Sequence, residues 1–126
     1  MWEISEKDFE KLIKTGDRDY VAYMELYFAE GETVVARFAG DDTLILFTNK
    51  RLISFYFPIS EDANKHFRDY QFIPYKSIQH YSVTTGKGND ITGFEIVVVG
   101  MNGIHFSSIS QTTVFKVTEL FNQYLL

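Results

Sequence analysis

Lys50 and Arg51 stand side by side in a stretch reading FTNKRLI, and two neighbouring cations on a loop could hold an anion. The same pair suits a hairpin tip, where charge keeps the turn soluble and discourages edge pairing, and the pattern favours that plainer role. They are the candidate anion contacts of the chain. Lys65, His66 and Arg68 form a second basic cluster, but Glu61, Asp62 and Asp69 neighbour it, which describes a solvated mixed-charge loop better than a phosphate site.

Other chemistry is thinner. His66, His80 and His105 are the only histidines and lie far apart, whereas a zinc site wants three or four converging ligands, usually at short spacings. His80 and His105 fall on strand-like stretches, as interior or groove-facing polar residues. Gly86-Lys87-Gly88 has too few glycines, and no following helix, for a phosphate loop. Ser54, Ser82, Ser107, Ser108 and Ser110 lack the flanking glycines of a nucleophile elbow. The adjacent Asp41 and Asp42 read as a solvated acidic link. Tyr20, Tyr23, Tyr27 and Phe28 could box a cofactor, but packing of a helix on a sheet explains them with fewer assumptions. No catalytic, cofactor-binding or metal-ligating residue is assigned, and no enzymatic activity is expected.

The elements around these residues are organised by residues 43–57, TLILFTNKRLISFYF. Two arms rich in Leu, Ile, Phe and Thr have strand composition, and Asn49-Lys50 can form the tight turn between them. With those two as the loop, Phe47 faces Leu52, Leu46 faces Ile53, Ile45 faces Ser54 and Leu44 faces Phe55. Alternation then sorts the hairpin into two faces. Leu44, Leu46, Ile53, Phe55 and Phe57 form a wholly apolar face, expected to be the core. Ile45, Phe47, Leu52, Ser54 and Tyr56 form the other, with Thr43 at its end, and it is too apolar to meet water. Something must cover it, so Ile45, Phe47, Leu52 and Tyr56 are the candidate interface.

Before the hairpin, Ser5 caps a helix with Phe9, Leu12 and Ile13 on one stripe and Gly16 as its stop. Asp17 starts a second, with Tyr20, Val21, Met24, Tyr27 and Phe28 on a wide face and Gly31 as its stop. These helices are the first candidates to cover the second hairpin face. Residues 33–38 read as the first strand. After Pro58 comes a polar loop, then strands at residues 70–73, 78–84, 93–99 and 104–109, the last two joined through Asn102-Gly103. Ser110 caps a final helix lined by Val114, Val117, Leu120, Phe121, Tyr124 and Leu125.

At 126 residues the chain makes one real core. A hydrophobic share of 45% and a charged share of 23% are ordinary, while twelve Phe and eight Tyr make an aromatic share of 17%, which favours strands and interfaces. There is no Cys, hence no disulfide, thiolate metal site or Cys nucleophile. A net charge of −5 argues against nucleic acid and anionic membrane as partners. No apolar run approaches the ~20 residues that span a bilayer, and the first residues do not read as a signal peptide. A cytoplasmic protein is expected.

An antiparallel sheet closed by one C-terminal amphipathic helix is the outline of a pleckstrin-homology (PH) fold. The stretch FTNKRLI at residues 47–53, followed by IPYKSI at residues 73–78, resembles the bacterial PH-like domain families, as do Glu30-Gly31-Glu32 and Tyr81-Ser82-Val83. The likeness covers residues 27–126. It implies a mainly β fold: a partly open barrel of about seven antiparallel strands with a C-terminal capping helix, preceded here by two short N-terminal helices. Residues 1–30 are then a helical extension packing on a PH-like domain at 31–126. The resemblance also implies no catalysis and a tendency to form homo-oligomers, some of them rings. Eukaryotic relatives usually carry a Trp in the closing helix, where this chain has Phe115 and Phe121. Relatives that bind phosphoinositides place cations around the first hairpin loop; here Arg37 is followed by Asp41 and Asp42, which would repel a polyphosphate headgroup. The expected partner is therefore the chain itself or another protein, the alternative being a small molecule or lipid at the open end of the barrel.

Overall fold

The hairpin forms where the alternation puts it. In the computed structural model, which describes residues 2–5, 7–9, 22, 24–40, 42–56, 69–101 and 103–125, Thr43–Thr48 and Arg51–Tyr56 pair antiparallel with Phe47 opposite Leu52 and Leu44 opposite Phe55. They are strands β3 and β4 of the eight among the described residues. Before them come β1 (Trp2–Ser5) and β2 (Val34–Ala39). After them come β5 (Asp69–Pro74), a 3-10 turn (Tyr75–Ser77), β6 (Ile78–Thr85), β7 (Ile91–Val98) and β8 (Ile104–Ser108). Helix α1 (Gln111–Leu125) ends the chain, with Ser110 Oγ accepting the Thr113 N–H at its start, 3.2 Å, as a capping serine should.

The strand order is β5-β4-β3-β2-β1-β8-β7-β6. Two antiparallel groups, β2 to β5 and β6 to β8, account for the seven strands expected. The short β1 joins them: it runs parallel to β8 and touches β2 through the single pair Ser5 with Ala39. That strand lies just ahead of the expected first helix, in a segment too short to show alternation. Ser5 ends it and also caps the helical residues 7–9, its Oγ accepting the Asp8 N–H at 3.1 Å. The rest of that helix, the start of the next one at Asp17, Asp41, Phe57, the cluster Lys65, His66 and Arg68, and Asn102 lie outside the described residues.

Strands β5 and β6 are joined by only the 3-10 turn, yet they end the strand order on opposite sides. The sheet therefore curls round and stays unclosed between them, which is the partly open barrel expected. Helix α1 closes one end, burying Val114, Val117, Leu120 and Phe121 against Phe47, Tyr75 and Phe94. Phe121 is the buried aromatic of that helix, whereas Phe115 is exposed.

Both faces of the hairpin are buried within the chain, and the two exchange the roles expected of them. Ile45, Phe47 and Leu52 line the barrel interior with Phe38, Phe94 and Phe106. Leu44, Leu46, Ile53 and Phe55 lie on the outside of the barrel, under Phe9 and Met24. The candidate interface is thus corrected: Ile45, Phe47 and Leu52 have no accessible surface, so no partner can reach them, and Tyr56 at the end of the same face is half-buried. Alternation separates two faces but cannot say which lies inside when both are apolar; the curl of the sheet decides that.

Candidate functional site

Within FTNKRLI, Thr48 and Arg51 converge on one carboxylate. β3 and β4 hold Thr48 and Arg51 on either side of the turn, and the segment before β2 brings Glu32 beneath them. Its entry is set by Gly31, whose φ of 75° is a conformation few other residues adopt cheaply.

Glu32 is closely satisfied. Arg51 Nε donates to Oε2 at 3.1 Å and Nη2 donates to Oε1 at 3.0 Å, the two-pronged geometry that guanidinium and carboxylate favour. Thr48 Oγ1, at 2.6 Å, donates to Oε2, and the Ala29 N–H donates to Oε1 at 2.9 Å. The Glu32 side chain has 0% exposure against 27% for Arg51. Burial alone would raise the Glu32 pKa. The hydrogen bonds from Thr48 and Ala29 and the Arg51 charge outweigh it, holding the carboxyl below the ordinary glutamate range.

Arg51 is committed through its Nε and Nη2. Its Nη2 also donates to the Tyr27 carbonyl at 2.7 Å, and its guanidinium lies over the Phe72 ring, 4.6 Å from the centroid. Of the two candidate anion contacts, Arg51 already holds an anion, Glu32, and Lys50 alone is exposed at the tip. A two-cation clamp is not built there.

Asn49 explains itself in the same way. Its Nδ2 donates to the Gly31 carbonyl at 3.0 Å, while its Oδ1 accepts the Thr33 N–H at 2.8 Å. The residue is therefore required for bonding the segment before β2 as well as for turning the chain. Inside the turn, Thr48 Oγ1 accepts the N–H groups of Lys50 and Arg51 at 3.1 and 3.0 Å.

Two tyrosines tie this tip to the rest of the barrel. Tyr75, from IPYKSI, donates its hydroxyl to the Thr48 carbonyl at 2.5 Å, and Tyr124 near the end of α1 donates to the Asn49 carbonyl at 2.5 Å. Burial pushes the Tyr75 phenol well above its usual range, with Tyr124 and Glu32 adding to it, so it stays protonated and remains a donor. The separated words EGE, FTNKRLI and IPYKSI are thus one hydrogen-bonded lock, in which the turn, the β2 entry and the closing helix hold one another.

The other sequence candidates scatter. His105 Nδ1 lies 3.9 Å from Glu95 Oε2 across β8 and β7, on a partly exposed face, and His80 is exposed on β6. Lys87 opens a 3-10 turn, Lys87–Asn89, with Gly88 at φ 73° before β7 begins. Ser54 is buried in β4. Among the described residues no group of three or more His, Cys, Asp or Glu could hold a metal ion, and no helix is long and apolar enough to cross a membrane. Glu32, the centre of the lock, was not singled out from the sequence. Its signal lay in Glu30-Gly31-Glu32 preceding a strand, but nothing local links it to Arg51.

A half-open barrel of two antiparallel groups closed by one C-terminal helix defines the PH-like class. Solved structures agree on the fold. A DUF1696 family protein with a pleckstrin-homology domain from Shewanella loihica PV-4 superposes with a TM-score of 0.57 at 19% identity, over 86% of this chain and 92% of that one. A pleckstrin homology domain from Shewanella amazonensis SB2B gives 0.53 at 20% identity, over 84% and 95%. The family model for the bacterial PH domain matches residues 3–125, and the chain belongs to that family. The match begins well ahead of residue 27, where the recognisable words start. No curated protein matches the sequence.

Proposed function

We propose that this bacterial PH domain is a non-catalytic binding and assembly module that associates with itself or with a protein partner. The observation that supports the reading is the unclosed sheet. Among the described residues β6 pairs with β7 alone, and most of β6 is exposed, so a row of backbone N–H and C=O groups is available to another chain. The reading does not extend to phosphoinositide headgroups, because the Arg51 fork is occupied by Glu32. Sedimentation velocity on the purified chain, from low to high micromolar concentration, tests self-association. The sedimenting mass is expected to rise above the 14.7 kDa monomer as concentration increases. A monomer throughout overturns self-association.

A further inference from the structure

Histidine changes its charge between about pH 5 and 8, and its neighbours decide what that change does. Of the histidines among the described residues, His80 stands on the edge strand β6 opposite the apolar Val97. His105 is placed differently. It lies on β8 with Glu95 of β7 opposite it on one side and Glu3 of β1 opposite it on the other.

The sheet leaves room for the first of these pairs. His105 Nδ1 lies 3.9 Å from Glu95 Oε2, and each side chain is 32% exposed. A Cβ at Gly103 would stand 3.0 Å from Glu95 Oε1, and one at Gly93 would stand 3.6 Å from His105 Cε1. Each side chain thus leans towards a position on the other strand that carries none. The separation is too long for a hydrogen bond but short enough for a charge on the ring to act on the carboxylate.

Charge on the three strands is one-sided. β1 reads WEIS, β7 reads ITGFEIVV and β8 reads IHFSS. They carry two Glu and no Lys or Arg, so His105 is the one side chain on them that can become a cation. Beyond β7, β6 sets the uncharged Ser82 opposite Glu95. Beyond β1, β2 meets that strand at Ser5 with Ala39.

The hold on β1 is slight. The strand has four residues, one pair with β2, and a register shift between Ile4 and Ser5 in its pairing with β8. An element with so few bonds opens on its own before the barrel unfolds.

We propose that His105 is a proton-operated latch on β1. Protonated, it is a cation flanked in register by two carboxylates, and it draws β1 and β7 onto β8. Neutral, it leaves Glu3 and Glu95 as like charges across β8, and β1 opens more often. The sign is fixed: the attraction is present on the acid side of the histidine range and is lost as pH rises through it. Because β1 stands between the β2 to β5 group and the β6 to β8 group, its opening parts them. The latch goes beyond the assembly reading and does not depend on it.

Two partly exposed ion pairs should change the open fraction of β1 by about three- to fivefold. Hydrogen–deuterium exchange of the full chain, read by mass spectrometry at one low micromolar concentration, measures that fraction. The arms are about pH 5.5 and about pH 8, on either side of the histidine range, with rates corrected for the intrinsic effect of pH. Fragments covering β1 are expected to be about three- to fivefold less protected in the alkaline arm, while those of β3 and β4 keep their protection. His105→Gln, shown by circular dichroism to be folded, should hold β1 at the alkaline level in both arms, and Glu3→Gln should remove most of the difference. Equal protection of wild-type β1 in the two arms overturns the latch, as does an undiminished difference in His105→Gln. A difference that survives intact in Glu3→Gln confines the effect to β7 and β8 and overturns the hold on β1. A loss shared equally by β3 and β4 is global unfolding and overturns it too.

Discussion

Glu32 ties the hairpin tip to the segment before β2, since Arg51, Thr48 and Ala29 all donate to it. Removing one partner of a buried ion pair strands the other, at a cost of a few kcal/mol. Arg51 is 27% exposed and can be rehydrated in part, so Glu32→Ala is expected to destabilise by roughly 3 kcal/mol in urea melts, at the lower end of that range. Glu32→Gln, which keeps the shape, should cost less. The pH dependence has a definite sign. The folded carboxyl titrates below the ordinary value of 4.5, so its contribution is complete above that value and is lost as pH falls through the lower, folded pKa. In acid titrations followed by fluorescence or circular dichroism, Glu32→Gln is expected to lose that part of the acid sensitivity, narrowing its gap to wild type as pH falls. At this scale the sequence misdirects. Lys50 and Arg51 read as a pair of cations, and only tertiary closure reveals that Arg51 belongs to a carboxylate nineteen positions earlier.

At the scale of elements, the hairpin shows what a sequence settles and what it leaves open. Composition and the Asn49-Lys50 turn gave the register directly, because a slip of one residue would exchange the two faces. Which face is interior was not legible, for Ile45, Phe47 and Leu52 are no more apolar than Leu44, Leu46, Ile53 and Phe55. Burial on both sides has a measurable consequence. Phe47 meets Phe38, Tyr75, Phe106 and Phe121, so Phe47→Ala is expected to cost about 3–5 kcal/mol of folding stability. The exposed Phe115→Ser should change it by less than about 0.5 kcal/mol. Thermal or denaturant melts of the two variants check this, and similar losses at both positions would place α1 wrongly. β1 escaped notice for a different reason. Four residues cannot display a period, and its pairing with β8 joins the two ends of the chain, a contact no local pattern announces.

At the scale of the whole molecule, the barrel is held at one end and open along one seam. The lock around Glu32 and the two tyrosine hydroxyls fix the closed end, where α1 packs; β5 and β6 leave the seam. Fold class was legible because strand count, closing helix and the separated words all agree on it. The open edge was not, because it depends on which strand the topology leaves there. A neutral, exposed β6 makes the assembly reading local enough to test by residue. Hydrogen–deuterium exchange of the wild-type chain, compared between dilute and high micromolar samples, measures it most directly. Amides within residues 80–84 are expected to exchange more slowly at high concentration, while those of β3 and β4, already interior, do not change. Concentration-dependent protection elsewhere with none in β6, or no protection at any position, would contradict it.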